Sequence, residues 1–325
     1  MHKQQPQELF NDLIGQETAK ELLQAAIAKR RIAPAYLFTG PQGVGQCLAA
    51  RRFLEGLITG GTTSIKERNR LGKMNHPDLI WIEPTYMNQG VLVPKSLAKK
   101  EGINKRNPPQ IRLEQIKIIQ RFLSKNPIET NLGMVVIEAV EAMNESSSNA
   151  LLKTLEEPGN GLLILISSRP EKLLPTIRSR CQKIPFTRLK VNDLKKVLSQ
   201  IEFDTINSFS FESTSAELMN LANGSPGALI DNFQLWNEFP DEILNQFQSL
   251  PQTPLDALSL ARDVTERLDI EQQIWLINWL QHYLWGKEMS QKSINQLETL
   301  RKYLLSFVQP RLAWEVTLLN LSEIN

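Results

Sequence analysis

Cysteine, histidine and long apolar runs are scarce in this sequence. Its 325 residues include 2 Cys and 3 His, too few for a disulfide framework or for a zinc site built from several cysteines. No stretch approaches the roughly 18 apolar residues that a membrane-spanning helix needs. Residues 1–6 are polar, so we expect no secretory signal. These absences predict a cytoplasmic chain with no membrane contact.

An excess of charge of one sign is also lacking. The chain has 37 Lys and Arg against 35 Asp and Glu, and the net charge of +2 excludes both a strongly basic nucleic-acid coat and an acidic tail. The length predicts roughly two or three domains. Changes in pattern along the chain place these domains at residues 1–187, 188–234 and 235–325.

The first of these segments alternates short apolar runs with helical periodicity. Strands are predicted where apolar residues run for four or five positions, at 35–39, 79–82, 134–137 and 162–166. Helices are predicted between them, at 16–29, 47–57, 111–123 and 144–155. This alternation is typical of an α/β domain with a parallel sheet covered on both faces. From about residue 188 the pattern becomes helical.

Residues 84–110 interrupt this alternation with four prolines and no clear period. They carry five positive charges against one negative charge, a net of +4, from Lys95, Lys99, Lys100, Lys105 and Arg106 against Glu101. We interpret the segment as an inserted loop. Two hypotheses stay open, a solvated loop or a contact with the phosphates of DNA.

A glycine-containing loop follows the first predicted strand. It resembles the phosphate-binding loop (P-loop), in which glycines let backbone N–H groups surround phosphates at a helix N-terminus. Gly40, Gly43 and Gly45 keep that pattern. Gln46 stands at the lysine position and brings no charge, and Cys47 stands where a hydroxyl would bind Mg²⁺. The alternatives are an ordinary glycine-rich turn and a degenerate nucleotide loop, and the strand and helix on either side favour the second.

The strand at 134–137 shows a second departure from an ATPase site. Working P-loop ATPases follow such a strand with a metal-binding acid, commonly with a glutamate beside it. Here Glu138 is an acid that suits a metal, but Ala139 has no acid–base group and the next acid is Glu141. Two losses in one site predict an ATPase fold without the ATPase chemistry.

Five segments in this order carry a family resemblance: residues 12–17, 35–41, 75–79, 149–158 and 174–181. Together they resemble the AAA+ clamp-loader subunits of the bacterial replicative polymerase, DNA polymerase III. The resemblance implies a P-loop NTPase-like α/β domain, a small helical lid at 188–234 and an all-α collar at 235–325 that holds a pentamer together. Because the loop is degenerate, the resemblance is to the delta-prime class, which is not itself an enzyme.

The resemblance also assigns site residues. Arg180, in the Ser-Arg-Cys segment, is expected to act in trans as an arginine finger on ATP bound by a neighbouring subunit, where a planar cation stabilises charge on the γ-phosphate. Ser167 and Ala228 stand at nucleotide-sensor positions, and active relatives carry an arginine where this chain has Ala228.

Partners follow from the same resemblance. They are the gamma/tau ATPase subunits and the delta subunit of a hetero-pentamer, with the sliding clamp and primer-template DNA reached through the complex. The family's four-cysteine zinc module is not expected, since no cysteine lies between Cys47 and Cys181, and this leaves the local fold of residues 64–75 open. No tightly bound cofactor is expected. The alternatives are an active ATPase subunit with an unorthodox loop and an inert AAA+ adaptor of a repair or recombination complex.

Three remaining features have plain structural explanations. His76 lacks a second ligand at metal-binding spacing and predicts a turn before a strand. Cys47 and Cys181 lack a nearby base and are not expected to be nucleophiles. An aromatic group comprises Trp275, Trp279, Tyr283 and Trp285. The spacing of the first three on one helical face indicates core or a subunit contact, and the resemblance to the collar favours a subunit contact over a base-stacking platform.

Overall fold

The computed structural model describes residues 6–98, 100–102, 108–200, 216–248, 251, 253–285, 291–306 and 308–322. Seven strands lie in the first part of the chain: β1 (Ala35–Thr39), β2 (Leu79–Ile82), β3 (Thr85–Asn88), β4 (Val91–Pro94), β5 (Gly133–Ile137), β6 (Gly161–Ser167) and β7 (Gln182–Pro185).

Helices surround and follow these strands. The α/β part contains α1 (Glu17–Ala28), α2 (Gln46–Thr59), α3 (Ile65–Gly72), α4 (Lys95–Ala98), α5 (Leu113–Leu123), α6 (Glu145–Glu156) and α7 (Pro175–Ser179). The helical part contains α8 (Val191–Gln200), α9 (Ala216–Ala222), α10 (Pro226–Glu238), α11 (Asp241–Gln248), α12 (Pro254–Arg267), α13 (Ile270–Trp285), α14 (Gln291–Leu305) and α15 (Pro310–Ser322). Among the described residues, no helix is both long and apolar enough to cross a membrane.

Five strands form one parallel sheet in the order β2-β5-β6-β1-β7. The three central strands are buried along their whole length, as continuous apolar runs require in a sheet with helices on both faces. One apolar core packs on each face of the sheet, and a helical region follows it in sequence. The predicted fold class, an α/β parallel-sheet domain followed by helices, is confirmed.

The described residues of the helical part share one apolar core, which runs from Leu189 to Leu321. This core crosses the predicted border at residue 234, so the division into lid and collar stays a prediction. Trp275 and Trp279 are only 3% and 4% exposed within it, and the Trp275 indole donates to Asn232 Oδ1 at 3.1 Å. The subunit-contact interpretation is therefore wrong for these two residues, because the chain buries both side chains itself. The side chain of Trp285 lies outside the described residues.

The inserted segment is not the irregular loop that its composition predicts. Strands β3 and β4 form an antiparallel hairpin, in which the buried Tyr86 stands opposite the buried Val93. The hairpin region contacts the helical part, where Lys95 pairs with Glu271 at 3.1 Å. Burial, together with the nearby Glu271 carboxylate, raises the pKa of Tyr86. Residues 85–98 thus form regular structure in place of the predicted loop, although the hairpin tip at 87–91 is exposed, as the solvated-loop hypothesis expects.

The DNA hypothesis for the same segment stays a prediction. Three of its cations, Lys99, Lys105 and Arg106, lie outside the residues that the structure describes. Lys100 is exposed, whereas Lys95 is engaged by the Glu271 carboxylate.

Helix α3 occupies the region whose local fold the resemblance left open. Ser64 caps its N-terminus, and Arg70 near its end binds both carboxylate oxygens of Glu129, at 2.7 and 2.9 Å. His76 follows in a turn, where its Nδ1 accepts from Asp78 N–H at 3.1 Å. Burial, followed by repulsion from Arg70, lowers the pKa of His76. The predicted turn at His76 is confirmed.

Candidate functional site

The glycine-containing loop connects the carboxyl end of β1 to the N-terminus of α2. Its glycines at 40, 43 and 45 have φ values of +150°, +77° and +107°, a region in which side chains are strained. A Cβ atom at Gly40 would lie 2.3 Å from the carbonyl oxygen of Phe186. The glycines therefore allow a tight loop at the carboxyl ends of the parallel strands, which is the place expected for a phosphate-binding loop.

Gln46 is the first residue of α2, and its side chain turns back into the loop. Its Nε2 donates to the carbonyl oxygen of Gly40 at 2.9 Å, and the residue is only 4% exposed. The side chain at the lysine position is therefore engaged by the loop's own backbone. It brings no positive charge to the loop.

The N-terminus of α10 packs directly against this loop. Ser225 Oγ donates to the carbonyl oxygen of Gln42 at 2.6 Å and caps its own helix by accepting from Ala228 N–H at 3.1 Å. Gly227 N–H donates to the carbonyl oxygen of Gly43 at 3.0 Å. A Cβ at Gly227 would meet Gly43 Cα at 2.7 Å, so the two backbones touch. We refer to residues 42, 43, 225 and 227 as the loop–helix contact.

A second link runs through Gln16, whose role the sequence reasoning missed. Its Nε2 donates to the carbonyl oxygens of Val44 at 3.1 Å and Thr187 at 2.7 Å, while its Oε1 accepts from Thr187 N–H at 2.9 Å. The only sequence signal for this role was that Gln16 lies in the 12–17 segment that carries the family resemblance. Gln16 joins the loop to the start of the helical part.

Glu138, the candidate metal-binding acid, has two partners in the chain. The Trp81 indole donates to its Oε1 at 2.5 Å, and the Cys47 thiol also forms a hydrogen bond with it. Burial, followed by the nearby Glu138 charge, raises the pKa of Cys47, which keeps the thiol protonated. The Arg51 guanidinium lies 5.1 Å from the Trp81 ring centroid, a cation–π contact. No sequence signal pointed to Trp81.

Ala139 and Glu141 follow Glu138 and contribute no acid–base group to the loop. Ala139 adopts a left-handed conformation, with φ of +47°. Glu141 Oε1 accepts from the backbone N–H of Ser168 at 3.1 Å and from its hydroxyl at 2.5 Å. The carboxylate thereby fixes the end of β6.

Ser167, at the predicted sensor position, lies beside the loop. Its carbonyl oxygen accepts from Gly40 N–H at 3.2 Å, and its buried hydroxyl accepts from Arg169 N–H at 3.2 Å. Ala228, the second sensor position, lies at the loop–helix contact through its bond to Ser225. The structure thus brings together the loop, the acid at 138 and both sensor positions.

Arg180 lies on the surface at the end of α7. Its Nη2 pairs with Glu156 Oε1 of α6 at 2.6 Å, and its Nη1 donates to the carbonyl oxygen of Thr176 at 3.1 Å. Both side chains of the ion pair are exposed. The pair connects the 149–158 and 174–181 segments. Nearby, burial raises the pKa of Cys181 to about 12, which leaves its thiol protonated near neutral pH.

Two family models match the chain. The model described as "DNA polymerase III, delta subunit" matches residues 15–190, more than half of the chain. The model described as "Cyanobacterial DNA polymerase III delta prime, C-terminal domain" matches residues 192–321.

Curated relatives of known name are also subunits of DNA polymerase III. The DNA polymerase III subunit delta' of Bacillus subtilis is 32% identical over 181 residues, which are 54% of this chain and 48% of that protein. The corresponding subunit of Pseudomonas aeruginosa is 29% identical over 205 residues, 60% of this chain and 54% of that protein. The chain spans about half the length of these relatives. Among solved structures, a DNA polymerase III gamma subunit-related protein of Thermotoga maritima aligns over 94% of this chain and 99% of its own, with a TM-score of 0.48 and 17% identity.

The matched ranges cover both the α/β domain with its loop and the helical part that packs on it. This chain belongs to the delta-prime subunit family of DNA polymerase III.

Proposed function

We propose that this chain is a cytoplasmic, catalytically inert clamp-loader subunit. It assembles with gamma/tau ATPase subunits and a delta subunit in a hetero-pentamer that places the sliding clamp on primer-template DNA. Relatives named gamma/tau, among them one from Mycobacterium bovis that is 28% identical over 194 residues, support this set of partners. The chain itself holds no nucleotide tightly and needs no zinc.

The observation that carries the inert role is the state of the phosphate loop. Carbonyl oxygens of the loop accept from Gln46, Ser225 and Gly227, all within the same chain. The Gly227 backbone also touches Gly43, since a Cβ at Gly227 would meet Gly43 Cα at 2.7 Å, and we expect that this contact would have to open before the loop N–H groups could surround a triphosphate. No lysine is present to stabilise the added negative charge.

The positive role belongs to Arg180, which we propose as an arginine finger. Its guanidinium is exposed and is held by one exposed carboxylate, Glu156. An exposed ion pair of this kind contributes about 0–1 kcal/mol, so a phosphate on a neighbouring subunit can replace the carboxylate at little cost. The finger would stabilise charge that develops on the γ-phosphate in that neighbour.

Substitution of Arg180 in the reconstituted complex tests this role. Arg180→Ala is expected to lower clamp- and DNA-stimulated ATP hydrolysis by at least about tenfold, since fingers of this type contribute up to about 10³–10⁵ in rate. Arg178, two residues before Arg180, is also exposed. The complex with Arg178→Ala is therefore the matched control and should hydrolyse ATP like the unmodified complex. Equal hydrolysis by the two variants would refute the finger role.

Two other functions have distinct experimental signatures. An active ATPase subunit would bind ATP tightly as an isolated chain. An inert adaptor of a repair or recombination machine would copurify without clamp or polymerase subunits. Affinity purification of the tagged full chain, followed by identification of its partners, separates the adaptor from the clamp-loader subunit.

A further inference from the structure

A polar cleft of about 280 Å³ lies where the start of the helical part faces α13 and α14. Its lining includes two arginines, one histidine and several carboxamides, among them Arg188, Arg301, His282, Asn223, Asn278 and Gln281. Among the described residues that line it, none carries a carboxylate. The cleft thus presents hydrogen-bond donors and positive charge together.

Arg301 forms one wall and is oriented by its neighbours. Its Nη2 donates to Asn278 Oδ1 and, at 2.5 Å, to Gln281 Oε1, while Nη1 lies 3.3 Å from Glu298 Oε2. The Nε atom is buried within the protein and has no hydrogen-bond partner among the described residues, so only the Nη end of the guanidinium can face the cleft.

Positive charge from Arg169, which follows β6, acts on Arg301. Burial lowers the pKa of Arg301, the nearby Glu298 carboxylate opposes that shift, and repulsion from Arg169 adds to it. The charge of Arg301 is thus disfavoured where it lies. A bound anion would offset this repulsion.

Arg188 forms another part of the wall and comes from a different region, the link between β7 and α8. It is exposed, and its Nη1 donates to the carbonyl oxygen of Asn223 at 2.8 Å. Arg301 thus brings positive charge, and the exposed Arg188 keeps N–H groups beyond the one bonded to Asn223, which suit phosphate oxygens.

We propose that this cleft binds a small phosphate-bearing anion of the size of inorganic phosphate or pyrophosphate. Its volume of about 280 Å³ corresponds to roughly nine water molecules at about 30 Å³ each, which is room for one compact anion. The carboxamides supply further hydrogen bonds to phosphate oxygens. A bound anion would connect Arg188 to α14 and stabilise the packing of these elements.

Isothermal titration of the full chain with pyrophosphate tests the proposal, in a phosphate-free buffer with ionic strength held constant by KCl. Saturable binding at one site is expected. Arg188→Gln and Arg301→Gln should each weaken it by about tenfold or more, equivalent to about 1.4 kcal/mol. Arg188→Gln changes an exposed side chain and so preserves the fold. The control Arg262→Gln removes an exposed arginine of α12 that lies 3.8 Å from Asp263, and should bind like the unmodified chain.

Three results would overturn the proposal. The first is the absence of saturable heat with pyrophosphate. The second is unchanged affinity in both arginine variants, which would assign the anion to another place such as the phosphate loop. The third is displacement of pyrophosphate by a short oligonucleotide at lower concentration than by phosphate, which would identify nucleic acid as the ligand. None of these results bears on the Arg180 test in the complex.

Discussion

The glycine-containing loop and the surface around Arg180 are the two places for which we propose a link to nucleotide chemistry, and they differ in what they contact. The loop is bound by its own chain, through Gln46 and the loop–helix contact. Arg180 is exposed and held by a single exposed carboxylate. Groups that a subunit uses internally are tightly packed, whereas a group that acts on a neighbour must remain accessible. The difference favours a subunit that has lost its own site while keeping the part that serves another.

The largest effect on stability is expected at Gly43. Gly43→Ala places a Cβ 2.7 Å from Ser225 Oγ in a left-handed conformation with φ of +77°. We expect a loss of about 2–4 kcal/mol in the free energy of unfolding, from backbone strain and overpacking together. Urea denaturation measures it.

Gly60 provides the matched control for Gly43. Its φ of +68° is similar, but a Cβ there meets nothing within 4 Å. Gly60→Ala should therefore cost only about 1–2 kcal/mol, the strain of the conformation. Equal losses for the two alanine variants would contradict a closed loop–helix contact.

The next effect is expected from Gln46→Lys, which restores the lysine of the phosphate-loop pattern. The lysine would lose the bond to the Gly40 carbonyl oxygen and place a charge at a site that is 4% exposed. We expect a loss of about 1–3 kcal/mol in stability and no gain in ATP binding, since the loop–helix contact remains. Denaturation combined with nucleotide titration checks both results, and tight ATP binding by this variant would show that the lysine alone was missing.

A smaller effect is expected from Ser225→Ala. It removes both the cap of α10 and the bond to the carbonyl oxygen of Gln42, at a cost of about 1–2 kcal/mol. Thr253→Ala is the control, because the exposed Thr253 hydroxyl caps α12 by accepting from Asp256 N–H and donates only to Asp256 Oδ2 of the same helix. Urea denaturation should show a greater loss in the free energy of unfolding for Ser225→Ala than for Thr253→Ala. The difference measures the contribution of the bond from Ser225 to the loop. Equal losses would argue against that bond.

The smallest effect on stability is expected from Arg180→Ala in the isolated chain. The ion pair with Glu156 is exposed, so its removal should change the free energy of unfolding by less than about 0.5 kcal/mol. Thermal and urea denaturation provide the measurement. A loss of several kcal/mol would mean that Arg180 is a structural residue of this chain, and the comparison between closed loop and accessible arginine would fail.

The central strands and the loop could be predicted because their signals are local. The apolar runs of β1, β5 and β6 require burial on both faces, and Gly40, Gly43 and Gly45 mark the turn into α2. The edge strand β7 was missed because Gln182 and Lys183 are exposed and give no apolar pattern. The β3–β4 hairpin was missed because Gln89-Gly90, with φ values of +46° and +83°, is a weaker turn signal than Asn-Gly.

The closure of the loop could not be predicted from the sequence. Ser225 and Gln42 are 183 residues apart, and no periodicity or motif links them. The partners of Glu138 were equally hidden, since Trp81 lies 57 residues before it and belongs to an ordinary apolar strand. Such contacts depend on the packing of whole elements. The residue types at 46, 47 and 139 predict a loss of ATPase chemistry, which stays a prediction, and they gave no sign that α10 packs against the loop.

Binding of a fluorescent ATP analogue with Mg²⁺ to the purified full chain tests most directly whether the phosphate loop is closed by its own chain. With the loop–helix contact in place and Gln46 at the lysine position, no saturable binding is expected up to millimolar nucleotide. Micromolar binding that depends on Mg²⁺ would contradict this expectation, and the chain would then have to be treated as a nucleotide-binding subunit.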